Sequence, residues 1–190
     1  MAISCRRGLS RECVDQILRY HLVVPEERFF STNLATFAQR QTEASHNQGE
    51  AWDPWQLLLV SKAWRAVGER HLYHTVVVRT QDQAQCLMDA FRDHPALGGY
   101  VCRLRLEGSF GVPGAHIIHF VAASLEDLWL DCTERGRRYP GHITSQQASV
   151  LSWLNPRRVV LYQDQNGQFE CAARRYLLDA IPRWSRLVRT

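Results

Sequence analysis

Three glycines lie in the stretch of the sequence that comes closest to a nucleotide-binding pattern. Gly108, Gly111 and Gly114 join a predicted strand to a predicted helix, and Asp131 ends the next predicted strand. A dinucleotide-binding unit has this layout, but its glycines follow G-x-G-x-x-G and not G-x-x-G-x-x-G. Its strands are also buried on both faces, whereas arginines alternate with leucines in the strand before these glycines. We therefore favour a simple turn between strand and helix over a nucleotide site.

The sequence offers few other groups for catalysis or metal binding. His116 and His119 are three residues apart on a predicted helix, a spacing that can share a metal ion, but no third ligand is identifiable beside them. Among the six cysteines there is no C-x-x-C pair. Nothing pairs Cys102 or Cys132 with the histidine that a cysteine nucleophile requires. We expect no catalytic residue, no metal site and no cofactor, and so do not expect an enzyme.

The composition is that of an ordinary globular protein. The chain has 190 residues, of which 45% are hydrophobic and 22% are charged, as in one domain or a small domain with an extension. Its net charge is +4, but its 22 arginines and one lysine are scattered among acids, so nucleic-acid binding is not predicted. Neither a membrane helix nor a signal peptide is predicted, because no long apolar run is present. The cysteines are then expected to be reduced thiols in a cytoplasmic or nuclear protein.

The N-terminal part predicts two helices separated by a polar segment. Apolar residues recur at helical spacing over Leu9–Leu22, and Ser10 is the predicted N-cap. Val23–Glu50 has no sustained periodicity and is interpreted as a long polar loop. A second helix is predicted from Asp53-Pro54, an N-cap acid followed by proline, to Gly68. Its beginning is apolar nearly all round, so it must be covered on more than one side.

From residue 71 onward, strands alternate with helices. Thr75–Val78 is a β-branched run, and Thr80 is the predicted cap of a helix that stops at Pro95. Further strands are predicted at Val101–Glu107, Asp127–Asp131 and Arg157–Gln163, and further helices at about Ala115–Ala123, Ser145–Trp153 and Phe169–Ile181.

The three later strands share a one-sided pattern. Each has apolar residues at two alternate positions, with charged or large residues at most of the others, and the matching positions are 24 and then 31 residues apart. These offsets suit an irregular leucine-rich-repeat solenoid. A parallel strand covered by helices on one face needs one apolar side, and its other side lines an open, concave surface. The predicted fold class is α/β: an N-terminal helical segment, then a short repeat solenoid with helices on one face of a parallel sheet.

Two stretches of the N-terminal part carry a family motif. They are Leu9-Ser10-x-Glu12-x-x-x-x-Ile17-Leu18-x-Tyr20 and Leu57-Leu58-Leu59-Val60-Ser61-Lys62-Ala63-Trp64. They resemble the F-box pattern, approximately L-P-x-E-…-I-L-x-x-L and then L-x-x-x-x-L-V-[CS]-K-x-W. The following Leu72-Tyr73-His74-Thr75-Val76 is similar to the L-L-Y-x-x-V stretch of many fungal members. The chain departs from the pattern at Ser10, where proline is usual, and in a polar insertion at about 25–52.

The resemblance is to F-box proteins with a leucine-rich-repeat-like C-terminal part, of a type abundant in basidiomycete fungi. It implies an F-box-like helical domain at 8–70 and repeats at 71–190, which we expect to be incomplete at the C-terminus. It also implies a substrate-recruiting subunit of a cullin-type (SCF) ubiquitin ligase. The F-box would bind the Skp-family adaptor, and the repeats would bind a target protein. The alternative is a leucine-rich-repeat interaction module with no role in ubiquitination.

The expected contacts fall into two groups. The residues expected to contact the adaptor are apolar residues of the two F-box-like stretches: Leu9, Ile17, Leu18, Leu57, Leu58, Val60 and Trp64. The residues expected to contact the target lie on the strand face assumed to be exposed: Arg103, Arg105, Asp127, Trp129, Arg158, Val160 and Tyr162. An exposed tryptophan among arginines has the composition of an interaction hot spot.

Overall fold

The structure is a computed structural model that describes residues 9–31, 54–108, 110–131, 150–162 and 178–188. The helices it describes are α1 (Arg11–Leu22), α2 (Glu26–Phe30), α3 (Lys62–His74), α4 (Gln81–Asp93) and α5 (Gly111–Val121). The strands are β1 (Thr75–Val78), β2 (Arg103–Leu106), β3 (Asp127–Asp131) and β4 (Arg158–Tyr162). Short 3-10 segments lie at Pro54–Leu59, Pro95–Tyr100 and Ile181–Arg183. Over these described ranges, no helix is long and apolar enough to cross a membrane.

The chain divides into two compact units. The helical unit holds the described residues up to Val24 and those from Pro54 to Leu72. The sheet unit holds the segment Pro25–Ser31 and the described residues from Tyr73 onward. The segment Pro25–Ser31 therefore belongs to the sheet unit, although the helix that precedes it belongs to the other unit.

The helical unit has a small apolar core. Ser10 caps α1 as predicted, because its hydroxyl accepts a hydrogen bond of 3.3 Å from the backbone N–H of Cys13. The fully or nearly buried core residues are Val14, Leu18, Leu22 and Val67, and those packed partly buried against them are Leu57, Leu58, Trp64 and Leu72. An ion pair between Arg70 and Asp15, and a contact of 2.8 Å between His71 Nε2 and Asp15 Oδ1, also join α1 to α3. These hydrogen bonds, first that of His71 and then that of Arg70, lower the pKa of Asp15.

The second predicted helix is wrong in its extent. Pro54–Leu59 is a 3-10 segment, and α3 begins only at Lys62. The break has a local cause, because the Ser61 hydroxyl accepts a hydrogen bond of 3.2 Å from the N–H of Trp64 and so caps a new helix. Gly68 does not end α3, which continues to His74. A Cβ at Gly68 would stand 2.2 Å from Leu58 Cδ2, so this glycine serves close packing within the helical unit.

The described part of the sheet unit contains a parallel sheet of four strands in the order β1-β2-β3-β4. The prediction of an α/β chain with a parallel sheet is confirmed at this level. The order of the strands equals their order in the chain. A doubly wound dinucleotide-binding sheet instead reverses its strand order at a switch point, where the ligand binds. The described strands contain no such reversal.

Helices α4 and α5 pack on the leucine face of the sheet. Thr80 caps α4 as predicted, accepting a hydrogen bond of 3.2 Å from the N–H of Gln83. The leucines of β2 and β3 form one core with these two helices: Leu104, Leu106, Leu128 and Leu130 with Ala84, Met88, Phe91, Ile117, Ile118 and Val121. The predicted helices Ser145–Trp153 and Phe169–Ile181 lie largely outside the described residues.

Candidate functional site

The candidate site is the face of the sheet opposite these leucines. The strand register places Thr75, Arg103, Asp127 and Arg158 in one row, and Val77, Arg105, Trp129 and Val160 in the next. The predicted offsets of 24 and 31 residues are therefore confirmed, since Arg103 pairs with Asp127 and Asp127 with Arg158. Side chains in one row lie close enough to interact across neighbouring strands. The three charged residues of the first row, Arg103, Asp127 and Arg158, alternate in sign, which favours ion pairing along the row.

The segment Pro25–Ser31 covers part of this face. Arg105 is fully buried, and its Nη1 donates hydrogen bonds of 2.7 Å to the Phe29 carbonyl and 2.8 Å to the Ser31 carbonyl. The Phe29 ring is also fully buried, and the Arg103 guanidinium carbon lies 5.7 Å from its centroid. A guanidinium at this distance from a ring makes a favourable cation–π contact. The carbonyls at the end of α2 and an aromatic ring thus take the place of water around two arginines.

Arg158 ties the same segment to β3. Its Nε and Nη2 donate hydrogen bonds of 2.8 Å and 2.7 Å to the two carboxylate oxygens of the nearly buried Asp127. Arg158 Nη1 forms an ion pair with Glu26, and its guanidinium carbon lies 4.5 Å from the centroid of the Phe30 ring. A bidentate pair of this kind is stronger than a single hydrogen bond. The hydrogen bond and the charge of Arg158 lower the pKa of Glu26, and the two carboxylates raise the pKa of Arg158.

Aromatic and charged groups continue from this contact along the sheet. The Trp129 indole stacks on Tyr162, with ring centroids 5.5 Å apart and planes inclined by 19°. The Arg105 guanidinium carbon lies 4.0 Å from the Trp129 ring. Glu107 accepts a hydrogen bond of 2.8 Å from Arg105 Nε and forms an ion pair of 3.5 Å with Arg79 Nε. Burial lowers the pKa of Arg79, while the charge of Glu107 acts in the opposite direction.

The expectation that this face is open is wrong at four of the seven predicted positions. Arg103, Arg105, Asp127 and Trp129 are buried, and the last is 0% exposed. Arg158 is exposed, and Val160 and Tyr162 are half-buried. We expected arginines on this face to stay in water because burying an unpaired charge is costly. Arg105 is instead buried with a carboxylate, two backbone carbonyls and an aromatic ring as partners.

The covering segment was missed within the stretch interpreted as a polar loop. Residues 26–30 form α2, preceded by Pro25. The sequence holds a signal for it, since proline and acidic residues are enriched where helices begin. Glu26 and Glu27 supply the acids, and Phe29 and Phe30 follow at the spacing of one helix face. The remaining part of the predicted insertion, residues 32–52, lies outside the described residues.

The seven residues expected to contact an adaptor differ in accessibility. Leu9 and Val60 are exposed, at 60% and 61%. Ile17, Leu57, Leu58 and Trp64 are half-buried. Leu18 is fully buried and offers no surface to a partner, so its place in that group was wrong. Three further apolar or aromatic side chains of the same unit are also exposed and were not among the seven, namely Tyr20, Trp55 and Leu59.

Other candidate chemistry finds little support in the described residues. His116 and His119 are exposed, and no group of three metal-ligating side chains occurs among the residues searched. Burial, reinforced by the nearby Glu126, raises the pKa of the Cys102 thiol, which makes it a weaker nucleophile. In the glycine turn, the Phe110 ring packs against Gly108 and joins the core of the sheet unit.

Comparison with known proteins adds no family to these observations. No protein-family model matches the chain, and neither a curated protein nor a solved structure gives a match to it.

Proposed function

We propose that the chain is a substrate-recruiting subunit of a cullin-type ubiquitin ligase. In this proposal the helical unit binds the Skp-family adaptor, and the sheet unit binds a target protein. The chain itself performs no chemistry. It raises the local concentration of the target near the ubiquitin-carrying enzyme to roughly millimolar, as short tethers do.

The observation that carries the proposal is the apolar surface left exposed on the helical unit. Among the described residues of this unit, four buried side chains form the core, whereas Leu9, Trp55, Leu59 and Val60 are exposed to water. A unit this small normally needs its large apolar side chains for its own core. Three of the four, Leu9, Leu59 and Val60, lie in the stretches that resemble the F-box. An adaptor that covered them would gain roughly 1.5–3 kcal/mol for each large apolar side chain buried.

Adaptor binding by purified wild-type chain and two matched variants tests the proposal. Val60→Asp places a charge on the exposed apolar surface of the helical unit, and we expect it to weaken adaptor binding by at least tenfold. Trp153→Asp places the same charge at a similarly exposed apolar residue of the sheet unit, where no effect on adaptor binding is expected. Both variants should unfold like wild type, since exposed positions tolerate polar residues.

The same experiment distinguishes the recruiting subunit from the alternative function. If the wild-type chain fails to bind the adaptor, the recruiting subunit is refuted. A leucine-rich-repeat interaction module would then account for the two units, with the helical unit acting only as an end cap. Equal loss of binding in both variants would refute the assignment of the docking surface.

A further inference from the structure

The segment Pro25–Ser31 is attached to the sheet unit through chemistry that a separate peptide could also supply. Helix α2 has five residues, and isolated helices of fewer than about 12 residues are marginal in water. Its contacts with the sheet must therefore hold it in a helical conformation. The helical unit contains the chain immediately before it, up to Val24. The segment thus behaves as a short ligand carried on the same chain.

Three arginines of the sheet recognise three different features of this segment. Arg105 donates hydrogen bonds to the backbone carbonyls of Phe29 and Ser31, at the C-terminal end of α2. Arg103 lies against the Phe29 ring. Arg158 lies against the Phe30 ring and pairs with the Glu26 carboxylate.

These contacts define a recognisable ligand pattern. Glu26 precedes Phe29 and Phe30 by three and four residues, so all three side chains lie on one face of a helical turn. The ligand pattern is a carboxylate followed three and four residues later by two aromatic residues, ending in a helix C-terminus. Glu27 and Arg28, between these positions, are exposed and are free to vary.

We infer that the sheet face formed by Arg103, Arg105 and Arg158 is a peptide-binding surface that the chain's own segment Pro25–Ser31 occupies, and that it takes target segments with the same acidic–aromatic helical pattern. This inference rests on the proposed function for the identity of the ligand as a target protein. The attached segment then competes with the target, because its tether holds it near the surface at roughly millimolar effective concentration. A target segment therefore binds only when its concentration, weighted by its affinity for the surface, exceeds that of the attached segment.

Binding of a labelled peptide tests the inference. The probe has the sequence of residues 24–32, Val-Pro-Glu-Glu-Arg-Phe-Phe-Ser-Thr. The control peptide replaces the first glutamate by lysine and both phenylalanines by serine. Fluorescence anisotropy compares the wild-type chain with a released variant, Glu26→Arg/Phe29→Ala/Phe30→Ala. We expect the released variant to bind the probe at least tenfold more tightly than wild type and to show no such gain for the control peptide.

A further substitution identifies the surface. Arg158→Ala in the released variant should weaken probe binding at least fivefold, because it removes the partner of the carboxylate and of one ring. Arg65→Ala, which removes an exposed arginine of the helical unit, should leave it unchanged. A folded released variant that binds the probe no better than wild type would overturn the inference, as would equal binding of both peptides.

A second measurement covers the case in which the released variant does not fold. Millimolar probe added to the wild-type chain should increase hydrogen exchange of the backbone at residues 26–31, while exchange of α4 stays unchanged. No increase at these residues overturns the inference. Adaptor binding is measured separately. Failure to bind the adaptor while peptide binding is intact refutes the proposed function. Failure to bind the peptide while adaptor binding is intact refutes only the peptide-binding surface.

Discussion

Replacing Arg105 by alanine tests whether the segment Pro25–Ser31 covers the sheet face at Arg105 and excludes water from it. The side chain of Arg105 is 0% exposed and donates to Glu107 and to the carbonyls of Phe29 and Ser31. Without the Arg105 side chain, the largely buried Glu107 carboxylate has less positive charge beside it. The carbonyls of Phe29 and Ser31 also lose a hydrogen-bond donor. Breaking a buried charge pair costs about 3–5 kcal/mol, mostly because the remaining partner is buried without it. We expect Arg105→Ala to destabilise the sheet unit by about this amount.

Urea and thermal unfolding, followed by circular dichroism, measure this loss. For a chain of this length, 1 kcal/mol corresponds to about 2–4 °C in Tm, so the expected decrease is roughly 6–20 °C. Arg65→Ala is the control, because it removes an exposed arginine whose i,i+4 pair with Glu69 is worth about 0.3–0.5 kcal/mol. A loss below about 1 kcal/mol for Arg105→Ala, comparable with that of the surface control, would refute the reasoning. The arginine would then reach water, and the segment would not cover it.

Three further predictions concern backbone packing, pH dependence and helix capping. Gly98→Ala should destabilise the sheet unit by about 1–3 kcal/mol in urea unfolding, because a Cβ there would stand 2.7 Å from the Phe120 carbonyl oxygen. Gly99→Ala is the control and should be neutral, because a Cβ at Gly99 would have no atom within 4 Å. Because the ion pair with Arg158 lowers the pKa of Glu26 below its ordinary 4.5, its stabilisation is present above that pH and is lost as the pH falls through the lowered pKa. Wild type should therefore exceed Glu26→Gln in unfolding free energy at pH 7 but not at pH 2, and a difference that persists at pH 2 would contradict this. Ser10→Ala should cost the helical unit about 1 kcal/mol, measured by urea unfolding, and a neutral result would show that the hydroxyl does not cap α1.

Local patterns predicted the strands and their register well. Alternation of leucines with charged residues reports which side of a strand meets the core, and this information is present within five residues. The offsets between Arg103, Asp127 and Arg158 then aligned neighbouring strands correctly. The caps at Ser10 and Thr80 were also predictable, because a cap is a contact between residues three apart.

The contacts missed from the sequence join residues far apart in the chain. Arg105 meets the carbonyl of Phe29 across 76 positions, and no local pattern encodes such a partner. The same limit explains the error about the exposed face. Periodicity shows that the arginine side of β2 does not face the leucine core, but it cannot distinguish water from a second covering segment.

The pairing of Arg158 with Glu26, 132 positions apart, has a consequence for how the sheet unit unfolds. Strands that neighbour one another in sequence order normally unfold by fraying from one end, since each is stabilised mainly by the next. Helix α2 contacts β2 through Arg105 and β4 through Arg158, so it couples strands that do not pair with each other. Fraying of β4 must break this long-range contact first. The unit should therefore open as one cooperative block while α2 is in place, and strand by strand once α2 has left.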